Sequence, residues 1–118
     1  MGGSPSCQVA AVDMEGPEAM MVKEKVQNNC VMIFSKTYCP YCKMAKKAFK
    51  DLGVPYDVYE LDKQGDGLKV QDVLDSMTGC RTVPRVFVGG KCIGGGSETR
   101  QLYNEGKLLD LVKQCQES

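Results

Sequence analysis

The 118-residue sequence contains no histidine and no tryptophan, and its 15 Lys and Arg residues balance 15 Asp and Glu. Without an imidazole, Cys-His and Ser-His nucleophile pairs are excluded, as is every zinc site that uses histidine. Without a charge excess, nothing in the bulk electrostatics marks a nucleic-acid binder or a preference for acidic partners, so charge recognition has to be local. Long hydrophobic runs are missing too. The longest, such as Val31–Phe34, are far too short for a membrane span. Residues 1–16 lack Lys and Arg, and so lack the basic residues of a mitochondrial transit peptide. They are rich in Gly, Ser and Pro without a period, which predicts a flexible tail over 1–16 ahead of one domain over 17–118.

Cysteine is what the chain does have. Seven is an odd number, and no hydrophobic signal segment precedes them, so a secreted disulfide framework gives way to a reducing compartment. The expected location is cytoplasmic, with a mitochondrial or nuclear form also compatible. The opening Met-Gly-Gly-Ser-Pro-Ser fits the loose N-myristoylation pattern at Gly2, with Cys7 as a second lipid site. Such short patterns often arise by accident.

Hydrophobic spacing gives the order of elements. Ala19, Val22 and Val26 predict an amphipathic helix ending near Asn28-Asn29, and Cys30–Phe34 a strand apolar on both faces, hence central in a helix-covered sheet. Pro40–Leu52 reads as a second helix, with Cys42, Ala45, Phe49 and Leu52 inward and Lys43, Lys46, Lys47 and Lys50 solvated. Gly53 closes it, and Tyr56–Leu61 follows as a strand. Val70, Val73, Leu74 and Met77 mark a third helix stopped by Gly79. Arg85–Val88 and Lys91–Ile93 flank Gly89-Gly90 as a hairpin. A last helical region, broken at Gly106, buries Leu108, Leu111, Val112 and Cys115. The fold class is α/β: a four-stranded mixed central sheet flanked by helices, the thioredoxin architecture.

Cys39-Pro40-Tyr41-Cys42 falls where the buried strand hands over to the second helix. Unpaired N–H groups and the positive dipole end of a helix start favour an anion, and Pro in the first turn forfeits no hydrogen bond. A thiol that ordinarily titrates near ~8.5 is mostly ionised at neutral pH if that place moves it to about 6 or below. Lys36 adds to the effect. Cys42 shares a face with Ala45 and Phe49 and should be turned to the core. Cys39 is therefore the attacking thiol and Cys42 the resolving one. A zinc half-site and a purely structural disulfide are the bland alternatives. The first lacks a second cysteine pair, because Cys7, Cys30, Cys80, Cys92 and Cys115 stand apart, and the second closes too small a loop to stabilise much.

Lys36-Thr37-Tyr38-Cys39-Pro40-Tyr41-Cys42, then Thr82-Val83-Pro84, then Gly94-Gly95-Gly96-Ser97 resemble the glutaredoxin family in order and spacing. The resemblance covers roughly 17–115 and is closest to dithiol glutaredoxins of vertebrate type. It implies a glutathione-dependent thiol–disulfide oxidoreductase that reduces protein–glutathione mixed disulfides and protein disulfides, with roles in deglutathionylation, electron transport and cell redox homeostasis. In that family Pro84 is a cis-proline facing the redox cysteines, and the Val83 backbone pairs with the glutathione peptide like an added strand. Lys36 and Gln71 match positions that bind the glycine carboxylate, Tyr41 one that lines the groove, and Thr82 belongs to the loop. Gly95, Gly96 and Ser97 offer N–H groups for the γ-glutamyl carboxylate. The family usually has Asp where this chain has Glu98, to hold the glutathione ammonium, so that contact is a departure. Arg81 and Arg85 line the groove's edge.

The implied partners are glutathione and glutathionylated or disulfide-bonded proteins, with no nucleic acid, no metal and a monomeric chain. Three readings compete. An iron–sulfur carrier in this family goes with Ser or Gly after the first cysteine, where Pro40 stands here. A thioredoxin typically carries Trp before the first cysteine, and this chain has none. A non-enzymatic redox sensor would not turn over. Cys30 and Cys115 are both expected to be buried, and a second disulfide between them is left open. Cys80 and Cys92 read as small core or surface residues.

Overall fold

The computed structural model describes residues 12–117, so Gly2 and Cys7, with their lipidation pattern, lie outside the described residues. The described elements are α1 (Pro17–Asn28), β1 (Val31–Ser35), α2 (Pro40–Leu52), β2 (Asp57–Glu60), a 3-10 turn (Leu61–Lys63), α3 (Gly67–Thr78), β3 (Arg85–Val88), β4 (Lys91–Gly94), α4 (Gly96–Asn104) and α5 (Lys107–Gln116). The strands form one sheet in the order β2-β1-β3-β4, with β1 parallel to β2 and antiparallel to β3, and β3 antiparallel to β4. This is the thioredoxin-type arrangement expected from the sequence.

β1 is buried along its whole length because both faces are covered. Met32 and Phe34 join Phe87 under α1 and α3, while Val31 and Ile33 join Val86 and Val88 under α2 and α5. Alternation at period two sends successive side chains to opposite layers. Phe34 and Phe49, one in each layer, are wholly buried, and each contributes about 2–3 kcal/mol by leaving water. Gly89 and Gly90 turn the β3–β4 hairpin at φ 61° and 85°, the left-handed conformation that a two-residue turn of this kind needs.

Several local expectations change. The first strand runs one residue later than predicted, from Val31 to Ser35, because its register with β3 starts at Val31 and its register with β2 runs on to Ser35. The second is shorter than Tyr56–Leu61, since Leu61 already belongs to the 3-10 turn. Met77 is 37% exposed rather than part of the core face. Val12 and Met14, given to the tail by composition, pack against the α1–α3 layer, and Lys23 Nζ donates to the Met14 carbonyl at 2.8 Å. Lys46 is not on the solvated stripe: its ammonium pairs with Glu60.

Cys30 and Cys115 are half-buried rather than buried, and they form a disulfide across a sequence separation of 85 residues, tying the end of α5 to the start of β1. A loop of that size restricts the unfolded chain by about 4 kcal/mol in the loop-entropy picture. Cys115→Ala, compared in a Cys39→Ser background, is expected to lower the guanidinium chloride midpoint accordingly. An unchanged midpoint, or an intact mass that does not rise on reduction of the Cys39→Ser protein, would contradict the bond.

Candidate functional site

Three segments distant in sequence meet at the C-terminal end of β1. The first is the β1–α2 turn. Cys39 is the N-cap of α2 with extended backbone, Pro40 takes the first helical position, and the Lys43 N–H donates to the Cys39 carbonyl at 3.1 Å. Thr37 braces this turn from below, donating its N–H to Asp62 Oδ1 at 3.0 Å and its hydroxyl to Oδ2. The hydroxyl is the main reason the Asp62 carboxyl lies below its usual range.

The second segment is the loop entering β3. The Val83-Pro84 peptide is cis, as the sequence motif implied, and Pro84 is buried. The Cys39 thiol points at this loop, with Sγ 3.8 Å from the Val83 carbonyl as the acceptor. Gln71 of α3 donates its amide to the Arg81 carbonyl at 2.8 Å, and Asp72 pairs with the Arg81 guanidinium. Gln71 is therefore engaged in bracing the loop. Cys80, half-buried beside it, has its sulfur 3.3 Å from Thr82 Oγ1, and the Thr82 hydroxyl and N–H hold its thiol below the usual range, with Arg85 assisting.

The third is the start of α4. Gly96 lies so close to α2 that a Cβ there would sit 2.6 Å from the Tyr41 carbonyl oxygen, so only glycine lets the two helix starts touch. The Glu98 carboxylate accepts the Gly95 N–H at 2.8 Å, which lowers its pKa. Both partners are thereby committed to each other. The Gly96 and Ser97 N–H groups are left without acceptors among the described residues.

The two thiols differ sharply. Both are free, but Cys39 is partly exposed and Cys42 is fully buried. Burial, first among several causes, pushes the Cys42 thiol up, against the opposing hydrogen bonds from the Lys36 N–H at 3.4 Å and the Ser35 hydroxyl. Around the pair, Tyr38 and Tyr41 are exposed at 67% and 54%. An open cavity of about 240 Å³ beside them is lined by Lys36, Tyr38, Asp62, Gln64, Leu68 and Gln71. No carboxylate pairs with the Lys36 ammonium among the described residues.

The glutaredoxin family model matches residues 31–93. The chain belongs to the glutaredoxin family. It is 56% identical over 94 residues to "Glutaredoxin-2, mitochondrial" of Mus musculus, a match covering 80% of this chain and 60% of that protein. It is 49% identical over 93 residues to a glutaredoxin of Ricinus communis, covering 79% of this chain and 91% of that one. Among solved structures, the buckwheat glutaredoxin–glutathione complex superposes with a TM-score of 0.80 at 42% identity, over 83% of this chain and 89% of that one. The chain thus spans less than two thirds of the length of the mouse relative.

The residues expected to act on or bind glutathione lie on the β1–α2 turn and the start of α2, on the loop entering β3, at the start of α4 and, for Gln71, on α3, whereas Cys30 and Cys115 sit just before β1 and near the end of α5. What the sequence did not reveal is the side of the site beneath Cys42, where Ser35, Lys46 and Glu60 meet. Its one visible sign is a polar residue, Ser35, directly after the apolar run. In a Cys39→Ser variant, alkylation of Cys42 by iodoacetamide is expected to be slow and to titrate above the ordinary thiol range of about 8.5. A normal titration there would contradict the burial effect.

Proposed function

We propose that the protein is a dithiol, glutathione-dependent thiol–disulfide oxidoreductase in which Cys39 attacks and Cys42 resolves. The observation that carries this is the asymmetry of the pair: a partly exposed sulfur at the first turn of α2, facing the cis-proline loop, above a buried sulfur one turn on. Helix-start position and access favour nucleophilic attack by the first, while burial holds the second back until a mixed disulfide forms beside it.

Glutathione carries two carboxylates and an ammonium. Lys36 and the free N–H groups of Gly96 and Ser97 supply donors for carboxylates on either side of Cys39. Val83 lies outside every paired strand register, so its backbone can pair with an extended peptide once its carbonyl releases the Cys39 thiol. Tyr41 and Thr82 flank the groove. Gln71 and Gly95 reach a ligand only by exchanging their present partners, and Glu98 meets the ammonium only in part, since its carboxylate already serves Gly95.

With a glutathionylated protein, the Cys39 thiolate attacks the glutathione sulfur, the protein thiolate leaves, and a Cys39–glutathione disulfide remains. A second glutathione thiolate attacks that sulfur, releasing glutathione disulfide and restoring Cys39. With a protein disulfide, Cys39 forms a mixed disulfide, Cys42 displaces the second protein thiolate, and two glutathiones reopen the Cys39–Cys42 bond. The chain acts as a monomer, on a domain over 17–118. The name of the mouse relative favours a mitochondrial form over the cytoplasmic one expected from composition.

In a coupled assay with glutathione and glutathione reductase, Cys39→Ser should abolish turnover of both a glutathionylated thiol and a protein disulfide. Cys42→Ser should abolish only the second. Loss of deglutathionylation in Cys42→Ser, or turnover supported equally by thioredoxin reductase without glutathione, would sink the assignment.

A further inference from the structure

We propose that Tyr38 and Leu68 form an apolar rim on the Lys36 side of Cys39, and that this rim takes an apolar side chain of a polypeptide substrate near its reacting cysteine. The inference rests on the reading of Cys39 as the attacking thiol and adds to it a preference among protein disulfides.

A single exposed hydrophobic side chain is ordinary on a protein surface, so it is the distribution that carries information. The exposed large hydrophobics among the described residues are Met20, Tyr38, Tyr41, Leu68 and Met77. Tyr38 and Tyr41 bracket the Cys39-Pro40 start of α2, and Leu68 is the most exposed of the five, at 71%. Tyr38 and Leu68 line the same cavity of about 240 Å³ as Lys36 and Gln71.

Helix geometry explains how Leu68 comes to be there. The inward face of α3 is made of Val70, Val73 and Leu74. Residues three and four apart share a helix face, so Leu68 lies in line with Gln71 and Asp72. Those two reach the Arg81 carbonyl and guanidinium, and the face they share is therefore turned to the loop that carries Val83 and the cis-proline. Leu68 prolongs that face by one turn. Tyr38 meets it from the β1–α2 turn. The rim is thus continuous with the surface where any disulfide partner of Cys39 has to dock.

The polar groups around the rim narrow the kind of partner. The one carboxylate lining the cavity, Asp62, is engaged with Thr37. The Lys36 ammonium pairs with no carboxylate among the described residues. Glutathione satisfies that ammonium with a terminal carboxylate and has no chain left to lay on the rim. A polypeptide runs on past Lys36, and the surface it meets there is Leu68 and the Tyr38 ring. An apolar side chain at that point leaves water against them, and a polar one gains nothing. A second copy of this chain is a poorer occupant, because a stable interface buries about 800 Å² on each partner and the rim is two side chains wide.

The test uses the full chain, reduced by excess glutathione and desalted, in single turnover without glutathione. Its substrates are two disulfide-linked peptide dimers, one with Leu two positions to either side of the cysteine and the other with Ser there. Cys39 displaces one peptide thiolate, Cys42 displaces the second, and two peptide thiols appear as the Cys39–Cys42 disulfide forms. Release by Cys39→Ser is subtracted, since Cys80 and Cys92 also meet the peptides. The leucine dimer is expected to react about tenfold faster than the serine dimer, the order expected when one apolar side chain leaves water. Leu68→Ser should bring the leucine dimer down to the serine rate, while turnover of a glutathione–mercaptoethanol mixed disulfide in the coupled assay stays within about twofold. Tyr38→Ser should narrow the leucine-to-serine ratio in the same way. Equal rates for the two dimers with the unaltered chain, or a ratio that survives Leu68→Ser, overturns the rim. So does a concentration-dependent dimer of the chain that Leu68→Ser dissolves, which would give the rim to a second copy. Failure of the unaltered chain to turn over the glutathione mixed disulfide would instead overturn the role of Cys39 itself.

Discussion

Burial of β1 on both faces is the constraint from which the site follows. A strand sealed under helices on each side can end in only one place where its chain regains water, and here that place is Lys36–Cys39. The end of the central strand thus delivers the cysteine to the edge of the core. α2 then starts with its dipole and unpaired N–H groups beside the sulfur. The parallel neighbour β2 brings Glu60 and the turn carrying Asp62, and the antiparallel neighbour β3 brings the cis-proline loop. None of these three groups is near Cys39 in sequence, and the sheet order β2-β1-β3 is what gathers them.

The features legible in the sequence were those with a local cause. The helix Pro40–Leu52 is bounded by a proline at its first position and a glycine just past its end, and the hairpin by paired glycines, so these elements emerge where predicted. β3 spans Arg85–Val88 as expected, but ends of β1, β2 and β4 were off by a residue, because a strand's limits depend on which partner backbone lies alongside, and no single segment encodes that. The exposed Met77 shows the same limit for helices: its spacing marks the apolar face of α3, but the face outruns the layer that covers it.

Within the site, backbone placement was legible and hydrogen-bond allegiance was not. The cis-proline loop, the glycine turn and the cysteine pair follow from motifs. That Gly95 donates to Glu98 and Gln71 to Arg81 depends on side-chain reach in three dimensions. Lys46 is the clearest case. Its neighbours Lys43, Lys47 and Lys50 alternate along α2 as a solvated stripe would, yet the register of β2 sets an acid within its reach and folds it under the helix.

The buried polar side chains sharpen this picture. Ser35, Arg85 and Thr99 are the buried polar or charged residues described, and each stands at one wall of the site. Ser35 closes β1 beside Cys42. Arg85 donates Nε to the Pro84 carbonyl at 3.0 Å, and its guanidinium would meet a Cβ on Gly95 at 3.0 Å. Thr99 donates its hydroxyl to the Gly95 carbonyl at 2.8 Å. A buried polar group left unsatisfied costs about 1–3 kcal/mol, so a core that is otherwise apolar tolerates such groups only where each is fully engaged. Here Arg85 and Thr99 are engaged with the loop entering β3 and the turn before α4, and Ser35 with Glu60 at the end of β2. The three walls are therefore fixed from inside the protein, while Lys36, Tyr41 and Ser97 remain open to solvent around the pair. Rigidity and recognition come from different residues, which is why a site made of loops can keep two sulfur atoms in unequal environments one helical turn apart.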